Sequence, residues 1–399
     1  MTSHTLQPFA VKSQAVNFQA LPPLSLYIHI PWCVRKCPYC DFNSHEARGA
    51  FPEREYVAAL VRDLELALPL IWGRKVYTVF FGGGTPSLLS GESIEQIMRS
   101  VRMLLPLDIN AEVTLEANPG TVEADRFADY RDAGVNRLSM GIQSFNDTHL
   151  QALGRIHTAD EARQAIEIAQ QHFDNINLDL MYALPKQALD EALQDVRSAL
   201  SFSPQHLSCY HLTLEPNTLF HRNPPSLPDD DASSDMQQRI EETLAVQGYQ
   251  HYETSAFAQP KRRAKHNLNY WQFGDYLGIG AGAHSKLSFP GRVIRQARHK
   301  QPQAYLNAVA KGAPLQSEHV VAPGELAFEF MMNALRLNEG FDSTLFEKRT
   351  SLSLLSIQRE LAEAETRGLL FRDHQGIAPT PMGQRFLNDL LGMFLKNAA

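Results

Sequence analysis

The chain has 399 residues, 44% hydrophobic and 20% charged, the composition of an ordinary folded protein and too long for one small core. Its 37 Lys and Arg against 44 Asp and Glu leave a net charge of −7, which excludes a global basic field for holding nucleic acid. No apolar run reaches the roughly 18 residues of a membrane-crossing helix, and the N-terminus lacks the apolar centre of a secretory signal.

Residues 1–22 read as a flexible extension, and exclusion points to the cytoplasm. A first strand is expected at 25–30, where Leu26-Tyr27-Ile28-His29-Ile30 is β-branched and aromatic and Pro31-Trp32 ends the run. Directly behind it stand three of the chain's four cysteines, Cys33-Val34-Arg35-Lys36-Cys37-Pro38-Tyr39-Cys40. Further strand-like runs occur at 76–81, 112–117, 137–142, 176–181 and 207–214. Amphipathic windows separate them at 53–68, 93–105, 123–133, 159–171 and 190–200, with apolar residues at helical spacing, as in Tyr56, Leu60, Leu64 and Leu68. Strands alternating with helices imply parallel βα units. Six units rather than eight imply a partial, open (β/α)6 barrel, with its chemistry in the loops behind the strands.

Beyond Pro216 the texture changes. Asn223-Pro224-Pro225-Ser226-Leu227-Pro228 is a breaker-rich loop, followed by a helix at 235–247. The barrel is expected to occupy 23–230 and an aromatic and histidine-rich extension 231–320. Residues 321–399 read as a mainly helical, winged-helix-like unit, with helices at 325–337, 352–367 and 382–395 and a hairpin at 369–372 and 376–379. That unit has no basic recognition face, so it reads as a lid or docking module rather than a nucleic-acid binder.

The C-x3-C-x2-C spacing carries the most information. A closed structural zinc site takes four ligands, whereas three cysteines on a four-iron cubane leave one iron open. Crowding disfavours mutual disulfides and suits a reducing compartment. A zinc loop completed by Cys209 or a histidine is the competing reading. It gives no reason for the glycine run Gly82-Gly83-Gly84-Thr85-Pro86 behind the second strand. A cluster loop after the first strand and a glycine loop after the second resemble the radical S-adenosylmethionine (SAM) superfamily. The resemblance implies a [4Fe-4S] cluster on Cys33, Cys37 and Cys40, with SAM chelated at the open iron and cleaved to a 5′-deoxyadenosyl radical on reduction.

A closer resemblance rests on motifs in order: Tyr27-Ile28-His29-Ile30-Pro31-Trp32-Cys33, Gly82-Gly83-Gly84-Thr85-Pro86-Ser87, Glu116-Ala117-Asn118-Pro119 and Ser139-Met140-Gly141-Ile142-Gln143-Ser144-Phe145. Leu153-Gly154-Arg155 and Asn177-Leu178-Asp179-Leu180-Met181-Tyr182-Ala183-Leu184-Pro185 follow. Together they are similar to the oxygen-independent coproporphyrinogen III oxidase family and its heme-chaperone relatives. The similarity implies that Tyr27, Gly83, Gly84 and Glu116 face SAM. Tyr39, Gly84, Thr85, Gln143, Arg155 and Asp179 match contacts to a second SAM, and Thr213 matches one weakly.

Two departures point to the chaperones. Phe42 stands where the oxidases carry a further cysteine. His266-Asn267-Leu268-Asn269-Tyr270-Trp271 is an H-N-x-x-Y-W motif foreign to them. The motif implies a heme site in which His266 could ligate iron, Tyr270 and Trp271 could pack on the macrocycle, and the basic run Lys261-Arg262-Arg263-Ala264-Lys265 could meet propionates. A satisfied histidine in an aromatic core is the plain alternative. The expectation is a protein that carries heme to apo-hemoproteins, of the respiratory chain in particular, with a homodimer left open. The enzymatic alternative is oxidative decarboxylation of coproporphyrinogen III to protoporphyrinogen IX. A third is a metal-stabilised binding module without SAM chemistry.

Overall fold

The computed structural model describes residues 16–47, 49, 51–120, 124–374 and 376–395. Its frame is one twelve-stranded sheet. In chain order the strands are β1 (Leu24–Ile30), β2 (Val76–Gly83), β3 (Leu107–Ala117), β4 (Arg137–Gln143), β5 (Ile176–Tyr182) and β6 (His206–His211). Then come β7 (Gln250–Glu253), β8 (Ala256–Ala258), β9 (Asp275–Ile279), β10 (His284–Phe289), β11 (Arg292–Arg298) and β12 (Leu315–Val320). The first six pair in parallel, each with the next. Covered on both faces, they read as nearly continuous apolar runs; in β1, Leu24, Leu26, Ile28 and Ile30 are all buried. Helices Glu53–Ile71, Gly91–Leu104, Phe127–Ala133, Ala159–His172 and Leu189–Ser201 make the crossovers. Ser90 caps the second through Ser93 N, and Thr158 with Glu161 forms a capping box on the fourth. Residue 123, the first of the third helical window, lies outside the described residues.

The fold is thus the expected open α/β barrel, but the sheet continues past both of its ends. β9 adds in parallel to β1 and leads into antiparallel β10, β11 and β12. At the other end β8 and β7 add antiparallel to β6. These six strands fall in the region expected only to be an aromatic extension.

The C-terminal part has its own core around Phe330, Phe346, Leu361, Ile377 and Leu390. The expected hairpin is present as Leu370–Arg372 and Gly376–Pro379, joined by Phe341–Asp342 into a three-stranded sheet. Helix Ser343–Thr350 was not expected, and the window at 382–395 is broken at Phe386 into Pro381–Arg385 and Leu387–Gly392. Of the extension expected to be flexible, 1–15 lie outside the described residues. Phe18 is buried in the C-terminal core and donates its N–H to Pro290 O at 2.9 Å.

The C-terminal part grips both ends of the sheet. Thr254 N donates to Arg336 O at 3.2 Å, and Arg336 pairs with Glu253 at 3.3 Å, beside β7. At the other end Val321 N donates to Val293 O at 2.9 Å, and Arg295 of β11 pairs with Glu329 at 2.7 Å. Helix Pro323–Ala334 runs between these two attachments.

Candidate functional site

A two-residue strand, Trp32–Cys33, pairs in parallel with His45–Glu46, so the cysteine loop returns beside its own origin. The thiols of Cys33, Cys37 and Cys40 are free and partly buried, and they line a cavity of about 300 Å³ over the C-terminal ends of the parallel strands. Gly83, Gly84 and Thr85 reach the same cavity from β2, Glu116 from β3, Gln143 from β4 and Asp179 from β5, with Tyr39 and Arg155 beside them. Topology therefore gathers eight of the expected cofactor residues and all three cysteines into one place. Tyr27 faces an adjoining cavity instead, together with Gly83 and Glu116. Thr213 bonds to Glu215 at 3.0 Å and does not line the cavity.

Each polar group is held. Glu116 accepts from Gly83 N at 3.1 Å, and burial next to Asp179 lifts its carboxyl to about 8. Asp179 accepts from Ser139 Oγ at 3.1 Å and Asn177 Nδ2 at 2.8 Å, and burial raises its pKa as well. Arg155 Nη2 donates to Asn118 Oδ1 at 2.8 Å and Gly141 O at 2.7 Å, while Nη1 lies 3.8 Å from Cys37 Sγ. Gln143 holds a φ of 66°, a conformation costly for a side-chain-bearing residue and often found at binding sites.

Gly83 and Gly84 are glycines for a packing reason. A Cβ on Gly83 would sit 2.5 Å from His29 Cε1, and one on Gly84 would sit 2.5 Å from Trp32 O. The space they free is filled by the protein itself. Gly83 also has a φ of 114°, in the range that favours glycine. Asn118, which bridges Arg155 and Thr85 Oγ1, is a wall residue missed in the sequence. Its signal was its place two residues past Glu116 at a strand end.

These residues fit an iron–sulfur cluster and an amino-acid-bearing ligand. Burial pushes the Cys33 and Cys40 thiols up, and a bound cation would favour their thiolates. Arg155 Nε is buried without a hydrogen-bond partner among the described residues and belongs to a cation suited to a carboxylate or to cluster sulfur. Among the described residues no three His, Cys, Asp or Glu side chains form a group able to hold a single metal ion. A cubane makes a lesser demand, since each thiolate takes a separate iron. Cys209 is no fourth ligand: it lies on β6 in the apolar core, its thiol pushed up to about 12 by burial.

The H-N-x-x-Y-W segment forms helix Lys265–Trp271, packed beneath β1 and β2. Its placement weighs against the expected axial role of His266. The ring is 1% exposed and stacks on Phe80 at 4.8 Å. Nδ1 bonds to Thr78 Oγ1 at 2.7 Å and Nε2 to Tyr270 OH at 3.2 Å, so both nitrogens are taken within the fold. Burial lowers its pKa to about 3. Asn269 holds Ser25 Oγ and Asp275 O, both at 2.9 Å, and Trp271 lies under Arg336 at 4.3 Å. Only Tyr270 reaches the cavity adjoining the cluster loop. The basic run Lys261–Lys265 borders a different depression, with Asn110, Asn136 and Asp174 at the opposite strand ends, away from any ligand of that cavity.

Residues 27–199 match the Radical SAM superfamily and 321–386 the HemN C-terminal domain. The chain is 50% identical to the heme chaperone HemW of Escherichia coli (strain K12), over 94% of this chain and 99% of that protein. The chain belongs to the HemW family. It is 34% identical to the HemW of Bacillus subtilis (strain 168), over 93% of this chain and 99% of that one. With the mitochondrial radical S-adenosyl methionine domain-containing protein 1 of Bos taurus it shares 36% identity, over 92% and 86%. Among solved structures, coproporphyrinogen III oxidase (HemN) from Escherichia coli, a radical SAM enzyme, superposes with a TM-score of 0.80 at 25% identity, covering 94% of this chain and 90% of that one. No helix of the described residues is long and apolar enough to cross a membrane.

Proposed function

We propose that this HemW-family chain is a heme chaperone: it binds heme and delivers it to apo-hemoproteins, on a core that holds a [4Fe-4S] cluster and SAM. The observation that carries this reading is half-identity to a protein named heme chaperone HemW along nearly the whole of both chains. In the proposal Cys33, Cys37 and Cys40 bind the cluster. Tyr27, Gly83, Gly84 and Glu116 border SAM. Tyr39, Thr85, Gln143, Arg155 and Asp179 supply contacts suited to a second amino-acid moiety. When bound, the cluster and SAM supply one-electron chemistry. The residues of the chain orient and desolvate the ligand: Arg155 offers a carboxylate partner, and Glu116, held close to neutral titration, accepts from an ammonium or a ribose. Residues 23–230 carry these sites, 231–320 extend the sheet at both ends, and 321–399 act as the docking module. A cytoplasmic location, acceptors in the respiratory chain and a homodimer belong to the same proposal.

Structural likeness to HemN favours a second reading, SAM-dependent decarboxylation of coproporphyrinogen III. Phe42 speaks against it, since an apolar ring occupies the place of the oxidases' additional cysteine. The deciding experiment is anaerobic. The reconstituted chain is given coproporphyrinogen III and SAM in one arm, and heme followed by an apo-hemoprotein in the other. Heme transfer without protoporphyrinogen is the expected result; protoporphyrinogen formation would replace the chaperone reading with the enzymatic one.

A further inference from the structure

Resting on the cluster assignment proposed above, we propose that Asn43 is a positioning residue for the cysteine loop. Its amide clasps the loop to the outer strands of the sheet, so that loading the cluster and packing those strands favour each other.

The loop hangs from a return segment, residues 42–47. Ala47 N donates to Cys33 O at 2.9 Å and His45 N to Pro31 O at 2.7 Å. Between the first two cysteines, Lys36 Nζ donates to Phe42 O at 3.2 Å and Ser44 O at 3.3 Å, and Lys36 N to Glu46 Oε1 at 3.2 Å. A shift of this segment therefore carries Cys33 and Lys36 with it.

Asn43 ties the segment to distant chain. Its Nδ2 donates to Ala281 O and Lys300 O, both at 3.0 Å, across 238 and 257 residues of sequence. Ala281 lies in the turn between β9 and β10, and Lys300 follows β11. Two carbonyls accept, so only an N–H group can face both, and both hydrogens of the amide are used. Gly282 makes room for it: a Cβ there would run into Asn43 Nδ2, and its φ of 84° is in the range that favours glycine. The backbone of Asn43 adds a third tie. Its carbonyl accepts from His29 Nε2 at 2.9 Å, which leaves Nδ1 of the neutral ring to accept from Tyr27 OH at 3.0 Å. One residue thus joins the cysteine loop, the Tyr27 wall and the outer strands. These are the strands that the C-terminal part holds through Val321 to Val293 and Arg295 to Glu329. If an ordered loop favours the clasped strands, clasped strands retain the cluster by the same factor.

The test is anaerobic and compares the full-length chain with and without its cluster. In the wild type, loading should slow hydrogen exchange across 280–283 and 299–301. Asn43→Asp sets a carboxylate oxygen against two carbonyls. It should still load about four irons, lose them to a ferrous-iron chelator about tenfold faster or more, and show no slowing at 280–283. Gly282→Ala, which displaces the same amide from the other side, should match it. Circular dichroism checks the fold; should Asn43→Asp fail to fold, Asn43→Ala, free of the repulsion, carries the same test. A merely structural Asn43 would speed exchange in both states and leave the difference on loading intact. An intact difference in the Asn43 variant overturns the proposal, and so does a wild type that loads its cluster with no change at 280–283. A wild type that binds no cluster brings down the cluster assignment itself.

Discussion

Glu116 Oε2 accepts the backbone N–H of Gly83 at 3.1 Å, which ties the glycine loop of β2 to the carboxyl at the end of β3. Because His29 fills the space beside Gly83 and φ there is 114°, a side chain at this position strains the protein before any ligand is involved. Gly83→Val should lower stability by about 2 kcal/mol or more, measured by urea unfolding without cofactors. A variant as stable as the parent would refute the close packing.

The same carboxyl should give stability a pH signature. Its folded pKa of about 8 stands above the ordinary 4.5, so the folded state holds the proton more tightly. Its contribution is complete below pH 4.5 and is lost as pH rises through about 8. Glu116→Gln should therefore gain on the parent, in the cofactor-free protein, between pH 5 and pH 8. Equal slopes for the two proteins would mean that the carboxyl is ionised throughout.

For the cysteines the outcome should be all or none. Anaerobic reconstitution should load about four irons per chain. Changing Cys33, Cys37 or Cys40 to Ala should each abolish the cluster's absorbance. Cys209→Ala should keep it and cost only about 1 kcal/mol of core packing. Cluster loss in Cys209→Ala, with retention in Cys33→Ala, would reverse the assignment.

His266→Ala removes the partner of the Tyr270 hydroxyl and leaves Thr78 Oγ1 with Ser25 Oγ alone. We expect a loss of ~3 kcal/mol and an unchanged Soret position in whatever fraction folds with heme. A shifted band in a stable His266→Ala protein would return the imidazole to the iron.

The parallel strands were legible because burial on both faces demands unbroken apolar runs, and the site residues because they sit where such runs stop. The outer strands were not, since charges interrupt them. β10 carries Lys286, buried against Asp275 at 3.1 Å, and β11 carries Arg298, buried against Asp63 at 3.4 Å. Read alone, each looks solvent-facing; its partner lies far off or on a neighbouring strand, beyond any local pattern. The surroundings of His266 were hidden for a related reason. A histidine among aromatics suggests a ligand, while the hydroxyl that satisfies it, on Thr78, is remote in the chain.

The attachment of the C-terminal part to both ends of the sheet bears on the width of the barrel. Among the described residues strand pairing does not close this sheet, so hydrogen-bond register does not fix its circumference. Bridging its margins is a helix of 12 residues, about 18 Å long, tied just before its start by Val321 N to Val293 O, at its middle by Arg295–Glu329 and just past its end by Arg336–Glu253. A rod in that position transmits displacement without absorbing it. Whatever presses on the C-terminal module pulls on both margins of the sheet at once, and the bore between them is the mechanical variable that such a contact would set.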